Sequence, residues 1–150
     1  MSRIARFANY AAAFEDAYKS DDWSVVEPFF TEDAVYEIPD LPPPLGGLNE
    51  GRAAILAYFQ RVLDGFDRRF ATRTTALVDG PHEESDTVRL RGRVAYTAPG
   101  VPDCCFELEE SATFRGDRIC RLADRYDAAT VKAVADYAKA HGAALGLANS

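Results

Sequence analysis

Two carboxylates set among apolar residues on one strand face constrain this chain more than any other feature. Residues 103–115 and 118–127 read as consecutive strands around Arg115-Gly116-Asp117. Phe106, Leu108, Ala112 and Phe114 alternate onto one face of the first strand, and Cys120, Leu122 and Tyr126 onto one face of the second. A three-residue loop, Gly116-Asp117-Arg118, sets both apolar groups on the same side; a two-residue loop would send one of them to the opposite side. In that register Glu110 stands opposite Asp124 on the apolar side, while Glu109 faces Arg125 on the other. Directly opposed Cβ atoms lie about 5 Å apart, and two carboxyls at that distance in an apolar setting do not both ionise cheaply. The pair is expected to share a proton near neutral pH and to titrate as a unit, which suits general acid–base chemistry. A purely structural role, with either acid paired to Arg91 or Arg93 of the preceding strand, is the competing expectation.

The remainder of the chain supplies walls for such a pair. Ile4, Phe7, Ala11, Phe14 and Tyr18 recur at helical spacing, and Ser20-Asp21-Asp22 ends that helix. A short apolar helix follows over residues 23–30, then a strand over 33–38 that carries Tyr36 and Ile38. Prolines and glycines make residues 39–50 a loop, next to Tyr36 and placed to edge a pocket. Gly51-Arg52 opens another helix with Ile55, Tyr58, Phe59, Val62 and Phe66 on its buried face. Four strands are expected near 69–79, 86–97, 103–115 and 118–127, with His82 in an exposed turn. An alanine-rich helix over 128–141, stopped by Gly142, closes the chain. Helices followed by a meander of strands give an α+β domain, whose long sheet curls around helices on its concave side. Period-2 reading puts Val88, Leu90, Val94 and Tyr96 on the apolar face of their strand, which turns Arg93 outward; a β-bulge is needed to bring it in.

Composition narrows the partners. A chain of 150 residues suits one domain, and a net charge of −7 argues against nucleic acid. No apolar run reaches membrane-spanning length, and the first residues lack the apolar core of a signal peptide. Cys104, Cys105 and Cys120 are odd in number and two are adjacent, so they read as reduced thiols of a cytoplasmic protein. His82 and His141 have no partners at metal-ligand spacing, and no phosphate loop or nucleophile elbow is present. Neither a metal nor an organic cofactor is expected.

Three segments in order, Phe30-Thr31-Glu32-Asp33-Ala34-Val35-Tyr36, Gly51-Arg52-Ala53-Ala54-Ile55, and Asp117-Arg118-Ile119 leading to Asp124-Arg125-Tyr126-Asp127, resemble the nuclear transport factor 2-like superfamily. That group includes ketosteroid isomerase, limonene epoxide hydrolase and the SnoaL-like polyketide cyclases. The resemblance implies one domain over residues 1–150: a cone-shaped α+β fold, with a curved mixed sheet and N-terminal helices packed on its concave face. It also implies a pocket for a small hydrophobic molecule, and a homodimer. Asp124 falls where limonene epoxide hydrolase keeps an aspartate of its catalytic set, Tyr36 at its water-binding tyrosine and Arg93 at its arginine. Leu41-Pro42-Pro43 resembles its loop, but Ile38 and Ala95 replace its asparagine and second aspartate. Glu110 falls near the oxyanion-hole acid of ketosteroid isomerase, while Ile38 and Phe14 replace its base and tyrosine.

SnoaL-like cyclases need only a single aspartate. The resemblance therefore implies a cofactor-independent cyclase, isomerase or lyase acting on a small hydrophobic carbonyl compound. Asp124 would move the proton, Glu110 tune it or donate to an oxyanion, and Tyr36 orient substrate or water. Arg93, Phe14, Tyr18, Ile38, Leu108, Leu122 and Tyr126 are the candidate pocket walls. The alternatives are a non-catalytic binding or scaffold domain of the same fold, or an epoxide hydrolase with an altered catalytic set.

Overall fold

The structure, a computed structural model, describes residues 1–147. Helix α1 (Arg3–Ser20) is capped by the Ser2 hydroxyl, which accepts from the Ala5 amide, and ends at Asp21 in the left-handed region (φ 61°). The expected short helix is instead two 3-10 turns, Trp23–Val25 and Glu27–Phe29. Pro28 at the start of the second has no amide hydrogen to continue a helical ladder. Then come β1 (Phe30–Ile38), β2 (Gly47–Glu50) and α2 (Arg52–Gly65). The long strands are β3 (Thr72–Glu84), β4 (Thr87–Thr97), β5 (Cys104–Arg115) and β6 (Arg118–Arg125). Helix α3 (Ala128–Leu145) runs past the expected stop: Gly142 is buried inside it, and Gly146 (φ 70°) ends it.

The six strands form one mixed, curved sheet in the order β2-β1-β6-β5-β4-β3. β1 runs parallel to β6; every other neighbouring pair is antiparallel. β2 lies inside the segment expected to be a loop. Its prolines precede it, and Gly47–Glu50 is free to pair with Val35–Ile38. β3 likewise runs through Asp79-Gly80-Pro81, with register shifts on both sides of Asp79, so His82 sits in a strand and contacts Asp79.

The core lies between the concave face of the sheet and the two N-terminal helices. Phe30, Ile38, Ile55, Ile119, Leu122, Val26 and Val88 are the largest of its fully buried side chains. Rings from α1, α2 and β1 interlock there, with Phe59 5.1 Å from Phe14, 5.6 Å from Trp23 and 5.5 Å from Tyr36 between centroids. A second apolar cluster, Phe66, Phe70, Val94, Tyr96, Cys104 and Leu147, packs the sheet's other end and takes Tyr137 and Ala138 of α3.

The expected pairing of the last hairpin holds, but by another route. Glu110 is opposite Asp124 and Glu109 opposite Arg125. The turn has two residues, Gly116 and Asp117, because Arg115 pairs with Arg118. A register shift restores the phase: Phe114 pairs with Ile119 but Thr113 with Arg121, leaving Cys120 as the extra residue. Ile119, not Cys120, therefore enters the core, and the Cys120 thiol donates to the Thr113 carbonyl.

Candidate functional site

Between the helices and the concave sheet lies a cavity of about 400 Å³. α1 contributes Tyr10, Phe14 and Glu15, and α2 contributes Tyr58, Phe59 and Val62. The sheet contributes Tyr36, Arg73, Leu90, Tyr96, Leu108, Glu110 and Asp124. A second concavity of about 510 Å³ runs between the proline-rich loop and α3. Its lining is apolar apart from Arg61 and Lys139 and holds no acid, whereas the first holds Glu110 and Asp124.

Asp124 is 6% exposed. The Tyr36 hydroxyl donates to its Oδ2 in a short hydrogen bond. Its Oδ1 is buried and has no hydrogen-bond partner of standard geometry among the described residues. The two acids nevertheless act on each other. Burial, then the Asp124 charge and a hydrogen bond with Asp124, push the Glu110 carboxyl well above its ordinary range, with only the Arg73 charge pulling it down. Burial also raises Asp124, but hydrogen bonds from Glu110 and Tyr36 hold it back. The two acids therefore titrate as one unit that holds a proton above the usual carboxylate range, with Glu110 the more strongly raised member. Tyr36 is held in place by Tyr58, an edge-on ring at 5.3 Å whose own hydroxyl donates to the Leu45 carbonyl of the proline-rich loop. Burial raises the Tyr36 and Tyr10 hydroxyls well above the usual tyrosine range, with Asp124 and Glu110 respectively next in effect, so both remain proton donors.

A stability signature follows from the raised Glu110. In the unfolded chain it ionises near pH 4.3, whereas in the folded protein it stays protonated to much higher pH. The native state binds more protons across that interval, so this group's contribution to stability is lost as pH rises through it. Glu110→Gln is expected to be more stable than the parent at pH 7, with the difference vanishing as pH falls to about 4. Denaturant unfolding of both proteins at the two pH values measures it.

The structure sorts the remaining candidates. Phe14, Tyr36, Leu108, Glu110 and Asp124 line the cavity. Ile38 and Leu122 share its strand face but are sealed into the core beneath it. Tyr126 packs against the core, 6.0 Å from the Phe106 ring. Tyr18 sits behind the wall, with the Arg73 guanidinium 5.1 Å from its ring. Arg93 reaches only the cavity's edge. β4 and β5 pair without a bulge, and its side chain, 52% exposed, donates to Glu107 at 2.7 Å.

The arginine that does enter the cavity is Arg73 of β3, whose side chain is 12% exposed. Its Nη1 donates to both carboxylate oxygens of Glu15, at 2.9 and 3.0 Å. Its Nε lies 3.2 Å from Asp67 Oδ2, which also accepts from the Tyr96 hydroxyl at 2.8 Å. Nothing local in the sequence marks Arg73 or Asp67. Tyr10 was within reach, three residues after Phe7 and four before Phe14 on the same helical stripe.

Among the described residues, no group of three or more His, Cys, Asp or Glu is arranged to hold a metal ion. No helix among them is long and apolar enough to cross a membrane.

Comparison with known proteins agrees with this architecture. No curated protein matches the chain. Among solved structures, a nuclear transport factor 2-like protein of unknown function from Burkholderia pseudomallei is similar, at 19% identity and TM-score 0.68, over 91% of this chain and 98% of that one. A candidate isomerase from Bacillus subtilis matches at 20% identity and TM-score 0.66, over 88% of this chain and 94% of that one. A candidate polyketide cyclase from Sinorhizobium meliloti matches at 22% identity and TM-score 0.56, over 77% and 93% respectively. At these identities the likeness establishes the fold. The SnoaL-like domain model matches residues 11–128. With that match and the cone-shaped mixed sheet, the chain belongs to the SnoaL-like domain family of the nuclear transport factor 2-like superfamily.

Proposed function

We propose that the cavity is the active site of a cofactor-independent acid–base enzyme of the cyclase or isomerase type, acting on a small hydrophobic carbonyl compound. The observation that carries this reading is the Glu110–Asp124 pair: two acids paired across neighbouring strands on the wall of a largely apolar cavity, both pushed above the usual carboxylate range by burial. Asp124, the carboxylate, takes a proton from the carbon beside the substrate carbonyl. The C–H electron pair moves into an enolate, and the Glu110 O–H, turning from Asp124 as that carboxylate takes up the proton, donates to the developing oxyanion. Return of the proton to another carbon gives an isomer; attack of the enolate carbon on a second carbonyl of the same molecule closes a ring, and the alkoxide formed takes the proton back from Asp124. The candidate cyclase and isomerase among similar folds lend support to this class of reaction.

Tyr36 is a positioning residue, because its hydroxyl is spent on Asp124. Its removal takes a hydrogen bond from the charged form, which is worth about 1.5–3 kcal/mol. Tyr36→Phe is therefore expected to move the acid limb of the pH–rate profile upward by about one to two units. An unmoved limb would leave Tyr36 a packing residue only. The proposal as a whole is tested by a panel of β-keto esters, diketones, enones and epoxides, followed by chromatography. Turnover of the enolisable carbonyl compounds supports it. Thermal stabilisation by them without turnover would make the protein a binding domain, and turnover of the epoxides alone would replace the enolate chemistry.

A further inference from the structure

The same cavity carries a statement about the charge of what it accepts, and this rests on reading it as the binding site. Its charged lining consists of Glu15, Asp67, Arg73, Arg93, Glu110 and Asp124. The acid pair keeps one negative charge. Arg93 is committed to Glu107 at the edge. Arg73 is the cation of the interior, and its charge is already matched. Glu15 holds its Nη1 with two hydrogen bonds, and Asp67 lies 3.2 Å from its Nε, which is buried without a hydrogen bond of standard geometry. The other lining groups are mostly aromatic or aliphatic. An incoming carboxylate or phosphate would lose its hydration, meet the charge of the acid pair and find the Arg73 charge already offset by Glu15 and Asp67.

We propose that the cavity selects uncharged hydrophobic carbonyl compounds and rejects organic anions, and that Glu15 sets this selection by occupying Arg73. Glu15 is the part of the device open to change. It comes from α1, 58 residues away in sequence from Arg73, and its side chain is 42% exposed, against 9% for Asp67. Replacing it by glutamine keeps a neutral acceptor beside the guanidinium but removes the neutralising charge. Arg73 then has only Asp67 against it, and its Nη1 side becomes an anion receptor inside a low-dielectric wall.

The test is equilibrium binding at pH 7 of matched neutral and anionic probes, 2-acetonaphthone against 2-naphthoate and 4-acetylbiphenyl against biphenyl-4-carboxylate, by calorimetry on the full chain. The expected result is that each ketone binds at least about tenfold more tightly than its carboxylate partner. In Glu15→Gln that ratio is expected to collapse or invert through a gain in carboxylate affinity. Carboxylates binding the unmodified protein as tightly as the ketones would overturn the selection. A ratio unchanged in folded Glu15→Gln would overturn the role given to Glu15. Binding is read without turnover, so these outcomes stand apart from failure of the acid–base reading, which shows only in the rates.

Discussion

Asp124→Asn is expected to lower turnover by about 10²–10⁴-fold, the usual worth of a positioned general base, without unfolding the protein. Asparagine keeps the shape of the side chain and an oxygen to accept from Tyr36. It also removes the charge that raises Glu110. Stability at neutral pH should therefore match or exceed that of the parent, while kcat falls and binding of a neutral ketone changes little. Rate and denaturant unfolding measured on one preparation separate the two effects. Unchanged turnover by a folded variant would remove Asp124 from the reaction.

Phe59→Ala is expected to be the most destabilising single change near the site, at about 3–5 kcal/mol. Phe59 is 5% exposed, and its ring meets Phe14, Trp23, Phe30, Tyr36 and Tyr58. Truncation leaves a hole where α1, α2 and β1 converge and removes the ring that backs Tyr36. Tm should fall by something on the order of 10 °C, and Phe59→Leu should recover most of it. A loss under about 1 kcal/mol would mean that the aromatic cluster does not hold the cavity open. Turnover should fall in Phe59→Ala as well, because Tyr36 loses the ring that fixes its hydroxyl on Asp124.

The acid pair is legible in the sequence because period-2 alternation in β5 leaves a single register that turns Phe106, Leu108, Ala112 and Phe114 to the concave side together. It misplaced the device that creates the register. A bulge at Cys120 and a three-residue loop shift the phase by the same single residue, and alternation cannot tell them apart. The arginines differ in legibility for a related reason. Arg93 stands on a strand whose clear alternation turns it outward, and it pairs with Glu107 while still reaching the cavity's edge. Arg73 stands on β3, which is mostly exposed and shows no alternation to read. Its burial is conferred by Glu15 on α1 and Asp67 in the 3-10 turn after α2, so only the tertiary fold reveals it. β2 was lost because its four residues pair beside a run of prolines that dominates any local reading. Ile38 and Leu122 were placed on the correct face, but facing the cone is not the same as reaching the cavity. The layer of rings above them decides that.

The central claim is that one acid of the pair holds a proton at neutral pH, and it can be read at a single atom type. Protein labelled with ¹³C at the glutamate side-chain carboxyl, titrated by NMR from pH 3 to 9, reports every glutamate and excludes Asp67 from the signal. The account predicts one resonance still in its protonated position at pH 7, titrating far above the rest, and absent from Glu110→Gln. Glutamates that all titrate near the reference value of about 4.3, with none lost from the high-pH set in Glu110→Gln, would contradict it.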